Sequence, residues 1–211
     1  MSKLPPDTPW EVVQGRALEG ASLHEAAEFW DGRYGEVYSS RLEETDELGR
    51  HGIIAEVLVR QAGHGRVQAR VLDVGCGTGI LARLLDERRF SYLGLDPSAA
   101  ALDQARAAAQ AAARPGAEFR QARFGDLGEG ERFSAVVLNE VLYYLDPPAA
   151  LARVAEMLEG PRLLVISLYD FPYGRQLLDE VVAGWRPLVR LGLENPGRGH
   201  KWTVLAGVWG G

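Results

Sequence analysis

The sequence predicts an α/β protein: a doubly wound, mostly parallel seven-stranded sheet with a C-terminal antiparallel hairpin strand and an N-terminal helical cap. Three observations lead there. From Arg70 onward, short apolar runs alternate with stretches of helical periodicity. A glycine-rich turn joins the first apolar run to a helix. Asn195-Pro196-Gly197-Arg198-Gly199 separates the last two runs, which is a hairpin signal. Strand–helix alternation implies a parallel sheet with helices on both faces.

The elements follow in order. Residues 1–65 read as an arm and helical lid, and residues 66–211 as the core. Residues 1–21 hold several prolines and glycines and read as a loose arm. Ser22-Leu23-His24-Glu25 reads as a capping box that opens a helix. Leu23, Ala26, Ala27, Trp30 and Tyr34 then fall on one face. A second helix spans about 48–61, with Ile53, Ile54, Val57 and Leu58 inward, and Gly63-His64-Gly65 ends it. Strands are expected at 71–74, 92–95, 117–122, 135–138, 163–168, 188–193 and 202–208. Helices are expected at 80–85, 98–113, 147–158 and 177–183. The helix from Ser98 is rich in alanine, which is the least costly residue there, and Pro115-Gly116 stops it. Ala135-Val136-Val137-Leu138 is apolar on both faces, as a central parallel strand should be.

Composition narrows the function. The 211 residues suffice for one domain with a substantial core. Hydrophobic residues at 46% and charged residues at 25% are ordinary for a globular chain. The net charge of −6, with basic residues interspersed among acids, argues against nucleic acid as a partner. No run is long enough for a membrane span, and residues 1–10 carry no basic start and apolar run. A cytoplasmic protein, monomeric or homodimeric, is therefore expected. Cys76 is the only cysteine, so there is no intrachain disulfide and no thiolate zinc cluster. His24, His51, His64 and His200 lack metal-ligand spacing, and no metal is expected.

The chemistry is concentrated in Val71-Leu72-Asp73-Val74-Gly75-Cys76-Gly77-Thr78-Gly79. A strand ends on an acidic residue, and a glycine turn then opens a helix. Gly75, Gly77 and Gly79 allow a tight turn and a close backbone approach to a ligand. The helix N-terminus supplies free amides and the positive end of a dipole. Asp96, before Pro97 at the end of the next strand, is placed to accept both hydrogen bonds of a ribose diol. Three glycines alone suit a plain strand–helix turn; the two added acids favour a cofactor. Cys76 has no nearby histidine or asparagine to activate it and reads as a small packed side chain.

This stretch resembles the first motif of class I, Rossmann-like S-adenosylmethionine-dependent methyltransferases. Further stretches match in order. Gly125-Asp126-Leu127 resembles the loop whose aspartate meets the adenine amino group, although Asp126 could instead cap a turn. Residues 133–145 resemble the fourth strand and the segment after it, and 163–169 with the final hairpin resemble the last three strands. The resemblance covers roughly 66–209. Asn139-Glu140-Val141-Leu142-Tyr143-Tyr144 is also similar to nodulation-type N-methyltransferases. The resemblance implies S-adenosyl-L-methionine as cofactor. It also implies methyl transfer to an oxygen or nitrogen of a small-molecule acceptor, in secondary metabolism. Two alternatives stand beside it. A nicotinamide oxidoreductase would need a glycine where Ile80 stands, and Asp73 would repel its pyrophosphate. A non-catalytic S-adenosylmethionine-binding protein would share the whole motif.

Roles follow from the resemblance. Asp73 suits the ammonium of the methionine moiety, directly or through water, and the Asn139 carbonyl would lie near that same end. Tyr34, Arg33 and Arg41 could meet the carboxylate; Trp30 suits the core. Candidates for a general base stand at strand ends: Glu140 and Tyr144 after the fourth strand, Asp170 and Tyr173 after the fifth, and His200 in the hairpin. Carboxylates such as Glu140 or Asp170 would hold an amine, whereas His200 would suit an oxygen acceptor or be a solvated turn residue.

Overall fold

A computed structural model describes residues 12, 21–34, 45–63, 68–114 and 116–210. The seven strands lie in the order β3-β2-β1-β4-β5-β7-β6. They are β1 (Ala69–Val74), β2 (Phe90–Asp96), β3 (Ala117–Gln121), β4 (Phe133–Asn139), β5 (Leu158–Tyr169), β6 (Val189–Asn195) and β7 (His200–Val208). The pairs from β3 through β5 are parallel, and β7 runs antiparallel to both β5 and β6. This is the doubly wound sheet with a closing antiparallel strand that the sequence predicts.

Six helices accompany the described strands: α1 (Leu23–Asp31), α2 (Thr45–Gln61), α3 (Ile80–Leu84), α4 (Ala99–Ala111), α5 (Pro147–Met157) and α6 (Pro172–Gly184). Side-chain alternation along the strands builds two cores, one on each face. Leu72, Leu93, Val136 and Leu164 pack with Val154 of α5 and Leu177 and Val181 of α6. Val71, Tyr92, Val137 and Val165 pack with Ile54 and Leu58 of α2 and Leu102 of α4. Burial of these apolar side chains is the main stabilising force, about 1.5–3 kcal/mol for each large one.

Several boundaries differ from the expected ones. The last helix begins at Pro172, a full turn before 177, because proline is tolerated in a first turn and does not mark a break there. The fifth strand begins at Leu158, five residues early, with a register irregularity opposite Phe133 and Ala135. The first helix ends at Asp31, so Tyr34 lies beyond its face. Tyr38, Arg41, His64 and Gly65 lie outside the described residues, as does most of the expected arm.

Two local devices dock α1 against the site. The predicted capping box is present: the Glu25 amide donates to Ser22 Oγ at 3.2 Å, and the Ser22 amide donates to Glu25 Oε2 at 2.8 Å. At the other end of α1, Asp31 accepts from Ser98 Oγ at 2.6 Å and from the Ala100 amide at 3.1 Å. A carboxylate at the exposed amides of α4 is favoured by their dipole as well as by the hydrogen bonds.

Gly79 caps α3 with φ +72°, in the left-handed region. A Cβ there would meet Phe119 at 2.9 Å and the Ala105 Cβ at 3.0 Å. Gly79 therefore sits against the core rather than at the ligand side. Gly79→Ala is expected to cost on the order of 2–3 kcal/mol, from left-handed strain plus overpacking. Urea unfolding measures this as a lower midpoint with an unchanged slope.

Candidate functional site

Strand order reverses between β1 and β4, and ligands in open parallel sheets bind outside the carboxyl ends at such a point. A cavity of about 640 Å³ opens there, within the range for sites that take a small organic ligand. The glycine turn after β1 forms its floor. Gly75 and Gly77 take φ of +69° and +53°, which only glycine adopts without strain. The Cys76 amide donates to the Leu95 carbonyl at 2.9 Å and so staples the turn to β2.

Asp96 organises the rest. Its Oδ2 accepts from the Gly77 amide at 3.0 Å, and its Oδ1 accepts from the Ser98 amide at 2.9 Å. One carboxylate thus joins the glycine turn to the start of α4. The group is only 4% exposed, and burial lifts its pKa to about 6 against the pull of those two amides. Each oxygen keeps a second acceptor direction. Above the turn, the Tyr34 hydroxyl closes in on Gly77: a Cβ there would stand 3.0 Å from it. The neighbouring Thr78 hydroxyl is buried with no hydrogen-bond partner among the described residues. The cradle is therefore polar, narrow and left short of donors and acceptors, as a site for a hydroxyl- and ammonium-bearing cofactor should be.

A second cluster stands at the end of β4. Asn139 is gripped from α2 by two adjacent residues. Arg50 Nε donates to Asn139 Oδ1 at 3.0 Å, and Asn139 Nδ2 donates to His51 Nε2 at 3.0 Å. His51 Nδ1 carries its proton to the Glu47 carbonyl at 2.8 Å, which fixes the neutral tautomer. Burial, seconded by the Arg50 charge, pushes the imidazole down to about 3. Arg50 is itself 3% exposed and is held by the Glu47 carboxylate, with one contact at 2.9 Å. Beside them Glu140 takes φ +57°, and its carboxylate accepts from Ser167 Oγ at 2.7 Å and from the Tyr143 hydroxyl at 2.9 Å. Burial raises the Glu140 pKa, opposed mainly by the nearby Arg50 charge.

The structure gathers most of the expected residues. Tyr34, Gly75, Cys76 and Gly77 line the cavity on the turn side, and Asp96 and Pro97 line it at the end of β2. Gly125 and Asp126 border it from the loop after β3; Asn139, Glu140 and Tyr144 border it after β4. Asp126 is paired with Arg123 at 2.7 Å, which holds its carboxyl below the usual range. Trp30, read as core, also reaches the cavity, edge-on to Tyr144 at 4.9 Å between ring centres.

Seven expected residues stand elsewhere: Tyr173 is buried in the apolar core, Arg33 lies over the Phe29 ring and donates to the Phe29 carbonyl at 2.9 Å, and five more lie off the cavity wall. Asp73 points beneath the turn and accepts the Tyr92 hydroxyl at 2.6 Å, because its position in β1 faces the same side as Val71. Gly79 packs on Phe119, and Leu127 is buried in the apolar core. Asp170 is exposed and paired with Arg175 at 2.7 Å. His200 sits edge-on to Tyr169 and Trp202 rather than at the cavity wall. Glu47, Arg50 and His51 line the cavity without a motif in the sequence that marks them. The Glu47–Arg50 spacing of i,i+3 was visible, but nothing local ties it to Asn139. No group of three or more His, Cys, Asp or Glu residues among the described ones could hold a metal.

Asp73 gives a pH signature. Burial lifts its pKa from the ordinary 3.8 to about 7, against the Tyr92 bond. The folded chain therefore holds this proton more tightly than the unfolded one. Stability from this group is present at low pH and is lost as pH rises from about 4 through about 7. Asp73→Asn keeps an acceptor for Tyr92 without the charge. It is expected to stabilise the ligand-free protein by on the order of 2–4 kcal/mol above about pH 8, with the gap closing towards pH 4. Thermal unfolding of both proteins across pH measures this.

Comparison with known proteins places the chain. Residues 47–204 match the family described as Methyltransferase domain. A ubiquinone biosynthesis O-methyltransferase of Azorhizobium caulinodans is 31% identical over 126 residues, 56% of this chain and 49% of that protein. The chain thus spans about half the length of that curated relative. Among solved structures, the N-methyltransferase NodS of Bradyrhizobium japonicum, crystallised with S-adenosyl-L-homocysteine, superposes with a TM-score of 0.67. It is 17% identical, with 86% of this chain and 96% of that one covered. Magnesium protoporphyrin IX methyltransferase of Synechocystis, with bound S-adenosylmethionine, gives 0.60 at 18% identity, covering 97% and 98%. Those two likenesses speak for the fold. With the family match over most of its length, the chain belongs to the methyltransferase-domain family and has the Rossmann-like fold of these structures.

Proposed function

We propose that this protein transfers the methyl group of S-adenosylmethionine to an oxygen or nitrogen atom of a small-molecule acceptor. The observation that carries this reading is Asp96: a buried carboxylate, already joining turn and helix, whose free acceptor directions border the cavity. Asp96 would hold the ribose diol, Asp126 the adenine edge, and the Asn139 carbonyl the methionine end. The sulfonium supplies the reactive methyl when bound.

The residues of the chain then do positional work. In-line displacement gains most from alignment of nucleophile and methyl, which rigid walls provide. Arg50 and His51 orient Asn139, and Ser167 and Tyr143 hold Glu140. Trp30 and Tyr34 cover the site from the α1 side and exclude water. Asp73 supports the turn from below through Tyr92, or acts on the ammonium through water. The cavity of about 640 Å³ and the net charge of −6 favour a small acceptor over nucleic acid. Among the candidate bases Glu140 and Tyr144 line the cavity, which favours them over His200, Asp170 and Tyr173 for that role.

Isothermal titration with S-adenosylmethionine and with NAD tests the cofactor assignment. Binding of the first alone is expected, and binding of NAD alone would reverse the reading. Asp96→Ala should weaken S-adenosylhomocysteine binding on the order of 100-fold, the loss of two hydrogen bonds to a charged acceptor. A methyl-transfer assay with labelled cofactor against pooled amines, phenols and carboxylates then tests turnover; tight binding with no transfer to any pool favours the non-catalytic alternative. Once an acceptor is found, His200→Ala is expected to leave the pH profile of single-turnover rates unaltered.

A further inference from the structure

We infer that the protein forms a two-fold homodimer by antiparallel pairing of β6 with β6 of a second copy, centred on Gly192. β6 is an edge of the sheet, with β7 on one side and no described strand on the other. An open edge strand is a template for pairing, and proteins commonly blunt it with lysine, proline or a covering element. The other edge, β3, is blunted: Glu118 and Arg120 pair at 2.8 Å, and Arg120 reaches Glu131 at 3.0 Å. β6 carries no lysine or proline. Arg190, Leu191, Gly192 and Glu194 are all exposed, and a Cβ at Gly192 would meet nothing within 4 Å. The exposed hydrophobics Leu188 (69%) and Leu191 (41%) lie at or just before this strand.

The strand Val189-Arg190-Leu191-Gly192-Leu193-Glu194-Asn195 is complementary to itself when reversed. With the axis at Gly192, Arg190 lies directly opposite Glu194 of the second copy, and Glu194 opposite its Arg190. Leu191 meets Leu193 twice on the other face. Directly opposed residues share a face, so both kinds of pair are formed together. A slip by one residue sets Arg190 against Leu193 and puts its partners on the wrong face. Glu194 already faces Lys201 of β7 at 3.1 Å. In the dimer it would stand between Lys201 and the second copy's Arg190, forming a charge ladder across three strands. Within one chain Arg190 lies opposite Leu205, and among the described residues it has no ion-pair partner. The second copy supplies one. Seven paired residues make a small interface, so association in the micromolar range is expected. The cavity is not involved, and the inference stands whatever the acceptor is.

Sedimentation velocity over a concentration series tests it. The parent is expected to shift from monomer to dimer with a dissociation constant on the order of 10 µM. Arg190→Glu sets like charges against each other twice and should weaken the dimer at least ~10-fold. The double variant Arg190→Glu with Glu194→Arg restores opposite charges between the copies and should bind more tightly than the single variant, short of the parental constant because the new arginine faces Lys201. A single cooperative thermal transition and an unchanged S-adenosylhomocysteine affinity check that each variant is folded. A parent that stays monomeric at the highest concentration overturns the inference. So does a dimer indifferent to Arg190→Glu, or a double variant no better than the single.

Discussion

The site rests on a carboxylate removed from water. Asp96 is the shared acceptor for the amides of Gly77 and Ser98, which begin from different secondary-structure connections. Without it the glycine turn and the N-terminus of α4 would have no common anchor. Ser98 then passes the constraint outward: it caps α4 through the Ala101 amide at 3.0 Å and donates to Asp31 at the end of α1. One acidic side chain thus connects the sheet, the cradle and the helix that covers it. Its elevated pKa reflects the cost of burial, offset in part by the two amides.

Buried ionisable groups around the cavity pull stability in opposite directions. Asp73 and Asp96 hold protons more tightly when folded, whereas His51, pushed down to about 3, resists protonation. Asp73 and Asp96 favour the folded state at low pH; His51 favours it near neutrality and above. A fold selected for stability alone would place apolar side chains here. Keeping Asp96 and His51 at the wall of one cavity, with Asp73 beneath its floor, fits a site in which polar ligand atoms complete the hydrogen bonding.

Much of this was legible in the sequence because it depends on local rules. The glycines before α3, the acid ending β2, the capping box at Ser22 and the hairpin at 195–199 are each specified within a few residues. What failed to show depends on direction or on distance along the chain. Asp73 and Asp96 both stand near strand ends, but only strand phase and packing decide that one faces Tyr92 and the other the cavity. Arg50 and His51 meet Asn139 across 89 and 88 residues, a pairing no periodicity encodes. His200 stands at the ligand end of the sheet, yet its ring turns to Tyr169 and Trp202. Topology gives the edge of the sheet on which a residue stands; packing gives the direction of its side chain.

The most direct test of this account is a crystal structure of the full chain with S-adenosylhomocysteine bound. Both ribose hydroxyls should lie within hydrogen-bonding distance of the two Asp96 oxygens, with the Gly77 and Ser98 amides still donating to them. A ligand seated elsewhere, or one whose ribose faces away from Asp96, would contradict it.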